Sequence, residues 1–264
     1  MPKISVLMGV YNCSSTLSEA IDSIICQTFT DWELIICDDG STDSTYNIAL
    51  EYKKRFEEKI ILLQNSKNLG LSLTLNTCLE AAHGEYIARM DGDDISMPDR
   101  FQKQVDFLDT HQNIDCVGTG MIRFNKNGDF SAAPSIENPN KYTLKLYPLC
   151  YHATIMMRKK AYDALGGYLS IPRTVRCEDI DLWFRFTYMG LKAANLNDYL
   201  YKVREDDNAL KRRKMKYAIN TSRTFFAGYK LLNYPKHMYP FALKSIVSNI
   251  IPQRLKLFVK KELK

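Results

Sequence analysis

Tyr86-Ile87-Ala88-Arg89-Met90-Asp91-Gly92-Asp93-Asp94 is the stretch that decides the reading of this chain. An apolar run of strand length stops abruptly at three acids grouped around a glycine. A strand that ends in clustered carboxylates places them at the carboxyl edge of a sheet, where open α/β folds bind their ligands. Unpaired, the acids would repel and raise one another's pKa. A hard divalent cation, Mg²⁺ or Mn²⁺, relieves that repulsion by taking carboxylate oxygens. A cation held by one or two carboxylates keeps positions open for phosphate oxygens, so the stretch suggests a metal–diphosphate site. The plain alternative is a solvated acidic turn, in which Asp and Gly are common.

Outward from this point, apolar periodicity predicts strands over 4–8, 32–37, 60–63 and 86–90. It predicts helices over 14–27, 44–56, 71–82 and 98–110, the first capped by Ser14 and Ser15 and the last opened by Pro98. Strand and helix alternate, which builds a mostly parallel sheet with helices on both faces. After Asp115 the order breaks into short strands over 116–124 and 153–157, with a helix over 180–189 and an ambiguous stretch over 141–151. The expected organisation is an α/β domain over 1–205, made of a nucleotide half (1–115) and a substrate half (116–205), then a basic helical extension over 206–264.

The 264 residues carry a net charge of +6, and the excess is localised. Acids outnumber bases before Tyr201. After it come Lys211, Arg212, Arg213, Lys214 and Lys216, then Arg254, Lys256, Lys260, Lys261 and Lys264. A basic tail on an acidic body points to an anionic partner: phosphate groups, an anionic membrane or nucleic acid. No nucleic-acid motif is present, so nucleic acid is not the expected partner. No apolar run reaches the ~20 residues of a membrane span, and the first residues have no signal-peptide layout. The cysteines are odd in number and never spaced CxxC, which argues against zinc and against a disulfide framework. They read as buried thiols in a reducing cytoplasm.

Three loops follow three strand ends on one edge: Tyr11-Asn12, Asp38-Asp39-Gly40-Ser41 and Asp91 to Asp94. Convergence on one crevice says more than any loop alone. No GxGxxG follows the first strand and no GxxxxGK[ST] occurs, so metal and basic side chains must meet any phosphate charge.

With these motifs in order, the chain resembles the inverting family-2 glycosyltransferases of GT-A fold over about residues 3–205. Val6-Leu7-Met8-Gly9-Val10-Tyr11-Asn12 looks like the opening strand whose end meets the nucleotide base. Asp38-Asp39-Gly40-Ser41-Thr42-Asp43 matches DDGSTD, which implies Asp39 as acceptor of the uracil N3–H. Asn68-Leu69-Gly70-Leu71-Ser72, with Asn76, matches the N-x-G-x-S loop beside the nucleoside. Asp91-Gly92-Asp93 matches the DxD, implying Asp93 as metal ligand and Asp91 at the ribose or a metal-bound water. Pro98-Asp99-Arg100 with Gln104 matches the helix that follows. His152-Ala153-Thr154-Ile155-Met156-Met157-Arg158 resembles the segment under the acceptor site, and Gly166-Gly167-Tyr168 the GGY turn. Glu178-Asp179-Ile180-Asp181-Leu182-Trp183 resembles ED-x-DLW, which makes Asp179 the general base.

The resemblance implies a metal-dependent hexosyltransferase of bacterial surface-polysaccharide assembly. Mn²⁺ or Mg²⁺ and a UDP-sugar, a UDP-hexose or UDP-N-acetylhexosamine, would meet a glycan acceptor on a lipid carrier, and the sugar would transfer with inversion. Many relatives carry a histidine after the last strand of the domain; Tyr201-Lys202-Val203-Arg204-Glu205-Asp206 has none. Either Asp93 and the diphosphate hold the metal, or Lys202 and Arg204 neutralise phosphate directly.

Structural alternatives stand beside each role. Asp39 could cap the next helix, and Asp43 reads as a cap. Glu178 could orient its neighbour or bind acceptor hydroxyls. Asp181 could be a helix-dipole charge. His152 could be a hydrogen-bonded structural residue, and Trp183 a mixture of core and sugar platform.

In the tail, Leu243, Val247, Ile250 and Ile251 share one helical face, and Leu255, Phe258 and Val259 another edged by bases. Such a helix lies on an anionic membrane, which would hold the enzyme at the cytoplasmic face; packing on the catalytic domain or on a second subunit is the alternative. A sugar-1-phosphate nucleotidyltransferase also joins an α/β sheet to acid-bound Mg²⁺. It would need a glycine-rich basic loop near the N-terminus, and Gly9-Val10-Tyr11-Asn12 does not supply one.

Overall fold

The computed structural model describes residues 1–205 and 214–251. Its first half is the alternation expected. Strands β1 (Ile4–Val10), β2 (Trp32–Asp38), β3 (Ile60–Gln64) and β4 (Tyr86–Arg89) pair in parallel, in the order β3-β2-β1-β4. Helices α1 (Leu17–Ile25), α2 (Thr45–Arg55) and α3 (Leu71–Glu80) connect them. Beyond β4 the sheet is mixed rather than parallel. β5 (Ile95–Ser96) leads into α4 (Arg100–Thr110), and β6 (Cys116–Asn125) forms a hairpin with β7 (Gly128–Ala133). β8 (Met156–Arg158) is antiparallel to both β4 and β6. β9 (Ala193–Arg204) runs parallel to β6 and antiparallel to β5. The chain passes from β4 to β6 through β5 and α4, and β8 is inserted antiparallel between β4 and β6 in the sheet.

Alternation along β1 sorts the core into two layers. Ile4, Val6, Met8 and Val10 pack with Leu17, Ile21, Ile24, Phe101 and Val105 under α1 and α4. Leu7, Ile35 and Cys37 face the opposite layer, with Leu75, Cys78, Tyr162 and the aromatic residues of α6 (Glu178–Tyr188). α5 (Lys159–Leu165) precedes α6, and α7 (Met215–Leu231) packs on α6 so closely that a side chain at Gly228 would strike the Phe184 ring. Residues Lys236–Leu243 form a 3-10 turn whose Ala242 is fully buried, and α8 (Lys244–Ile250) follows. The bases at 211–213 and the apolar face through Leu255 and Phe258 lie outside the described residues.

Two helix starts differ from expectation. α1 begins at Leu17 without a serine cap, because Thr16 turns its hydroxyl to the Gly92 and Cys13 carbonyls. α4 begins after Pro98, whose carbonyl accepts from the Thr28 amide instead. All seven cysteines are free thiols, and five of them are buried. Among the described residues no helix is long and apolar enough to cross a membrane.

Candidate active site

The three strand-end loops meet and knit together. Asn12, held in the left-handed region at φ 49°, accepts from the Thr42 amide through Oδ1 at 2.8 Å and donates its own amide to Ser41 Oγ at 3.0 Å. Asp43 accepts from the Thr45 and Ser14 amides; burial opposes its charge, yet these bonds hold its pKa down to about 2. Asp43, read as a cap, thus ties the start of α2 to the 12–14 loop, while the N-cap position itself is Ser44. Val10 is buried and its carbonyl accepts from the Asp39 amide, while Tyr11 is exposed beside it.

Asp39 does not cap the next helix. Its Oδ1 accepts from the Leu69 amide and from Asn65 Nδ2, both at 2.8 Å, and its Oδ2 from the Gly70 amide at 2.9 Å. The carboxylate therefore fixes the 68–70 loop at the entrance to α3 and leaves Asn68 exposed. Gly40 makes this close approach feasible: at φ +69°, a Cβ there would sit 2.8 Å from the Lys67 carbonyl carbon. Oδ2 has one amide on it, so a lone pair remains for a further donor.

The two acids of Asp91-Gly92-Asp93 are placed differently. Asp91 Oδ1 meets Arg89 Nη2 at 2.5 Å, and Arg89 is buried within the sheet. The Asp91 amide bonds to Tyr201 Oη on β9 at 3.1 Å. Gly92 lies against Val10 and Cys13, where a Cβ would come within 2.8 Å of Val10 Cγ1. Asp93 is half-buried, and its backbone carbonyl accepts from Arg204 Nε at 2.8 Å. Asp94 is buried and accepts from the Arg204 amide at 2.8 Å; burial first, then the charges of Asp91 and Asp93, push its pKa up to about 8. A cation would relieve this crowding of negative charge. Among the described residues no three His, Cys, Asp or Glu form a ready metal cage. The donor set instead fits a cation held by one or two carboxylates and completed by phosphate and water.

Arg204 stands at this site, stacked 4.4 Å over the Phe124 ring and paired with Glu19. Lys202 is turned away to Asp129 of β7 at 2.8 Å. Of the two bases weighed for the missing histidine, Arg204 is the one at the acids.

α6 supplies the remaining acids at its first turn. The two neighbours look in different directions. Glu178 feels the charges of Asp179, Arg89 and Arg176, and Tyr168 feels both Glu178 and Asp91, so Glu178 belongs to the side of the Asp91–Arg89 pair. Burial, then the charge of Asp179, raises the Glu178 pKa to about 7. Asp179 stands in the wall of a cavity of about 340 Å³. Burial raises its pKa as well, while the amides of the first turn work against the shift. Asp181 pairs with Arg173 at 2.8 Å and Arg185 at 2.7 Å, and Arg185 also donates to the Leu165 and Gly167 carbonyls. It is an anchor for the GGY turn, not merely a dipole charge.

Two expected acceptor contacts become structural. His152 Nε2 bonds to Tyr168 Oη at 2.8 Å, and burial, helped by the Arg89 charge, lowers its pKa to about 3, so it is neutral. Trp183 has no accessible surface and packs edge-on to Phe186. A sugar platform needs an open ring face, so Trp183 is core.

Sequence reasoning passed over Arg89, Tyr201 and Glu19. Arg89 alone carried a signal: an arginine inside an apolar strand, two residues before the acids, needs a buried partner.

The family model for glycosyl transferase family 2 matches residues 5–166. EpsE of Bacillus subtilis, whose own assignment as a glycosyltransferase is provisional, is 46% identical over 95% of this chain and 90% of its own. WfaP of Escherichia coli, a UDP-Glc:α-D-GlcNAc-diphosphoundecaprenol β-1,3-glucosyltransferase, is 30% identical over 77% of this chain and 78% of its own. TarS of S. aureus in complex with UDP-GlcNAc superposes with a TM-score of 0.68 at 17% identity, covering 96% of this chain and 82% of TarS 1-349. The mannosyltransferase PcManGT of Pyrobaculum calidifontis, in complex with GDP-Man and Mn²⁺, gives 0.68 at 16% identity, covering 99% of this chain and 79% of that one.

Proposed function

From the premise that the chain belongs to glycosyl transferase family 2, we propose that it moves a hexose or N-acetylhexosamine from a UDP-sugar to a hydroxyl of a lipid-linked glycan, with inversion, in bacterial surface-polysaccharide assembly. Its fold is GT-A, shared with both solved glycosyltransferases. The observation that carries the proposal is the meeting of Asp91 to Asp94, the Asp39-anchored loop and the first turn of α6 around one sheet edge. The UDP-GlcNAc bound by TarS and the UDP-Glc named for WfaP favour uracil over guanine, and the WfaP acceptor favours a lipid diphosphate.

Each residue then has a task. Asp39 and Tyr11 border the nucleoside, and Asn68 and Gly70 lie beside it. Asp93, with Asp91, would hold Mn²⁺ or Mg²⁺, which supplies positive charge to the departing diphosphate. Arg204 adds its own charge at the same place. Asp179 takes the proton of the acceptor hydroxyl as that oxygen bonds to the anomeric carbon. The bond to UDP breaks on the opposite face, so a single displacement inverts the centre and needs no enzyme nucleophile. Burial raises the Asp179 pKa, which strengthens its carboxylate as a base.

Thermal shifts of the full-length chain with UDP, GDP and dTDP, with and without Mn²⁺, test the donor assignment. UDP with Mn²⁺ should stabilise most; equal shifts from all three, independent of metal, would remove the case for a uridine donor.

A further inference from the structure

The cavity beside Asp179 has more in it than a base requires. Leu144, Tyr147, Pro148, Asp179, Ile180 and Phe225 border it, with Trp183 at its back. Its volume, about 340 Å³, is that of a small-ligand pocket. Two lysines stand on it: Lys145, 4.6 Å over the Phe241 ring, and Lys244, 5.3 Å over the Tyr147 ring. Among the described residues neither ammonium has a carboxylate within salt-bridge distance. Two cations set on aromatic rings over an apolar floor form a seat for an anion with an apolar continuation. The indole N–H of Trp183 is fully buried and has no hydrogen-bond partner in the protein, so one donor behind the wall is unspent. The same C-terminal element leaves Leu243, Val247, Ile250 and Ile251 exposed, an apolar face continuous in sequence with Lys244.

We propose that this cavity seats the anionic group of the acceptor, a phosphate or diphosphate bearing an apolar chain, with Lys145 and Lys244 as its counter-charges. The inference rests on the glycosyl-transfer reading and adds to it the part of the acceptor that is recognised. The phosphate lies between the lysines, the apolar chain leaves along α8, and the glycan end reaches Asp179. A neutral glycan would leave both lysines without a partner, and a free nucleotide would leave the apolar wall unused.

Farnesyl diphosphate, farnesol and inorganic diphosphate are the probes. Each is titrated by tryptophan fluorescence and calorimetry into the full-length chain with UDP and Mn²⁺ saturating, so that diphosphate cannot enter the donor crevice. Farnesyl diphosphate should bind more tightly than either of the others. In the Lys145→Ala/Lys244→Ala double variant its Kd should rise at least about tenfold, the loss expected for two charge-assisted contacts. Lys145→Arg/Lys244→Arg should keep most of the affinity. UDP affinity of every sample, measured first, shows that the donor half is folded and separates failure of this inference from failure of the donor assignment. Farnesyl diphosphate binding no better than farnesol, or binding untouched by the double alanine variant while UDP still binds, overturns the proposal.

Discussion

Glu178 and Asp179 are adjacent in sequence and differ in surroundings. Glu178 lies within reach of the Arg89 charge, whereas Asp179 lines the cavity beside Pro148 and Phe225. Asp179→Asn keeps the shape but removes the carboxylate proposed as base, and kcat should fall by roughly 10²–10⁴-fold with UDP-sugar affinity nearly unchanged. Glu178→Gln should retain more turnover; a dead Glu178→Gln beside a near-normal Asp179→Asn would exchange the roles. Glu178 also carries a stability signature. Its folded pKa, about 7, lies above the ordinary 4.5, so the folded chain holds this proton more tightly. The contribution is present below pH 4.5 and lost as pH rises through 7. Thermal unfolding of Glu178→Gln against the parent should lose that slope; parallel curves would mean the carboxyl is not perturbed. The motif named these acids, but not their directions. Those depend on Arg89, 89 positions before Glu178 in the chain and brought near it by the sheet.

At the scale of elements, α3 and the GGY turn form one clasp. Asn76 Oδ1 accepts from the Tyr168 amide and its Nδ2 donates to the Tyr168 carbonyl, both at 2.8 Å. Gly167, at φ +71°, leaves room for this, since a Cβ there would come within 2.6 Å of Asn76 Oδ1. Gly166 has φ +66° and open space around it. Gly166→Ala should therefore cost about 1–2 kcal/mol of backbone strain alone, and Gly167→Ala clearly more. Equal midpoints in denaturant would remove the clasp from the account. The parallel strands were legible because each is a short apolar run that stops at a polar turn. The pairing of β5 with β9 was not: Ile95 faces Lys202 across more than a hundred residues, and a two-residue strand has no period to read. Asp39 stood out through its motif, but its anchoring of Leu69 and Gly70 was not legible, since backbone amides leave no mark in sequence.

At the scale of the molecule, the C-terminal element both packs and projects. Ala242 is buried and Tyr239 packs edge-on to Tyr229, so the packing alternative holds up to α8. α8 itself buries none of its residues, and Ile250 is 65% exposed. The apolar face read from Leu243, Val247, Ile250 and Ile251 is thus open. A chain ending at Ile251 keeps this packing, whereas one ending near Tyr239 would lose Ala242. Vesicle flotation should therefore compare the full chain, a chain ending at Ile251, and a Val247→Asp/Ile250→Asp variant. Anionic vesicles should carry the full chain, less so in high salt, because each base near such a surface contributes about 1 kcal/mol, screened by salt. Loss of either the basic tail or the apolar face should weaken flotation; equal flotation of all three would leave α8 as an oligomerisation or packing surface.

The central claim is transfer of a sugar from a nucleotide donor at the Asp91-Gly92-Asp93 edge. The most direct measurement is product analysis after incubating the full-length chain with UDP-hexoses and UDP-N-acetylhexosamines, with Mn²⁺ and with chelator, beside Asp93→Ala. The account predicts UDP as the released nucleotide, formed only with metal and absent in Asp93→Ala, which should remain folded. Formation of UTP and sugar 1-phosphate when pyrophosphate is added, or UDP formation that persists in Asp93→Ala and in chelator, would contradict it.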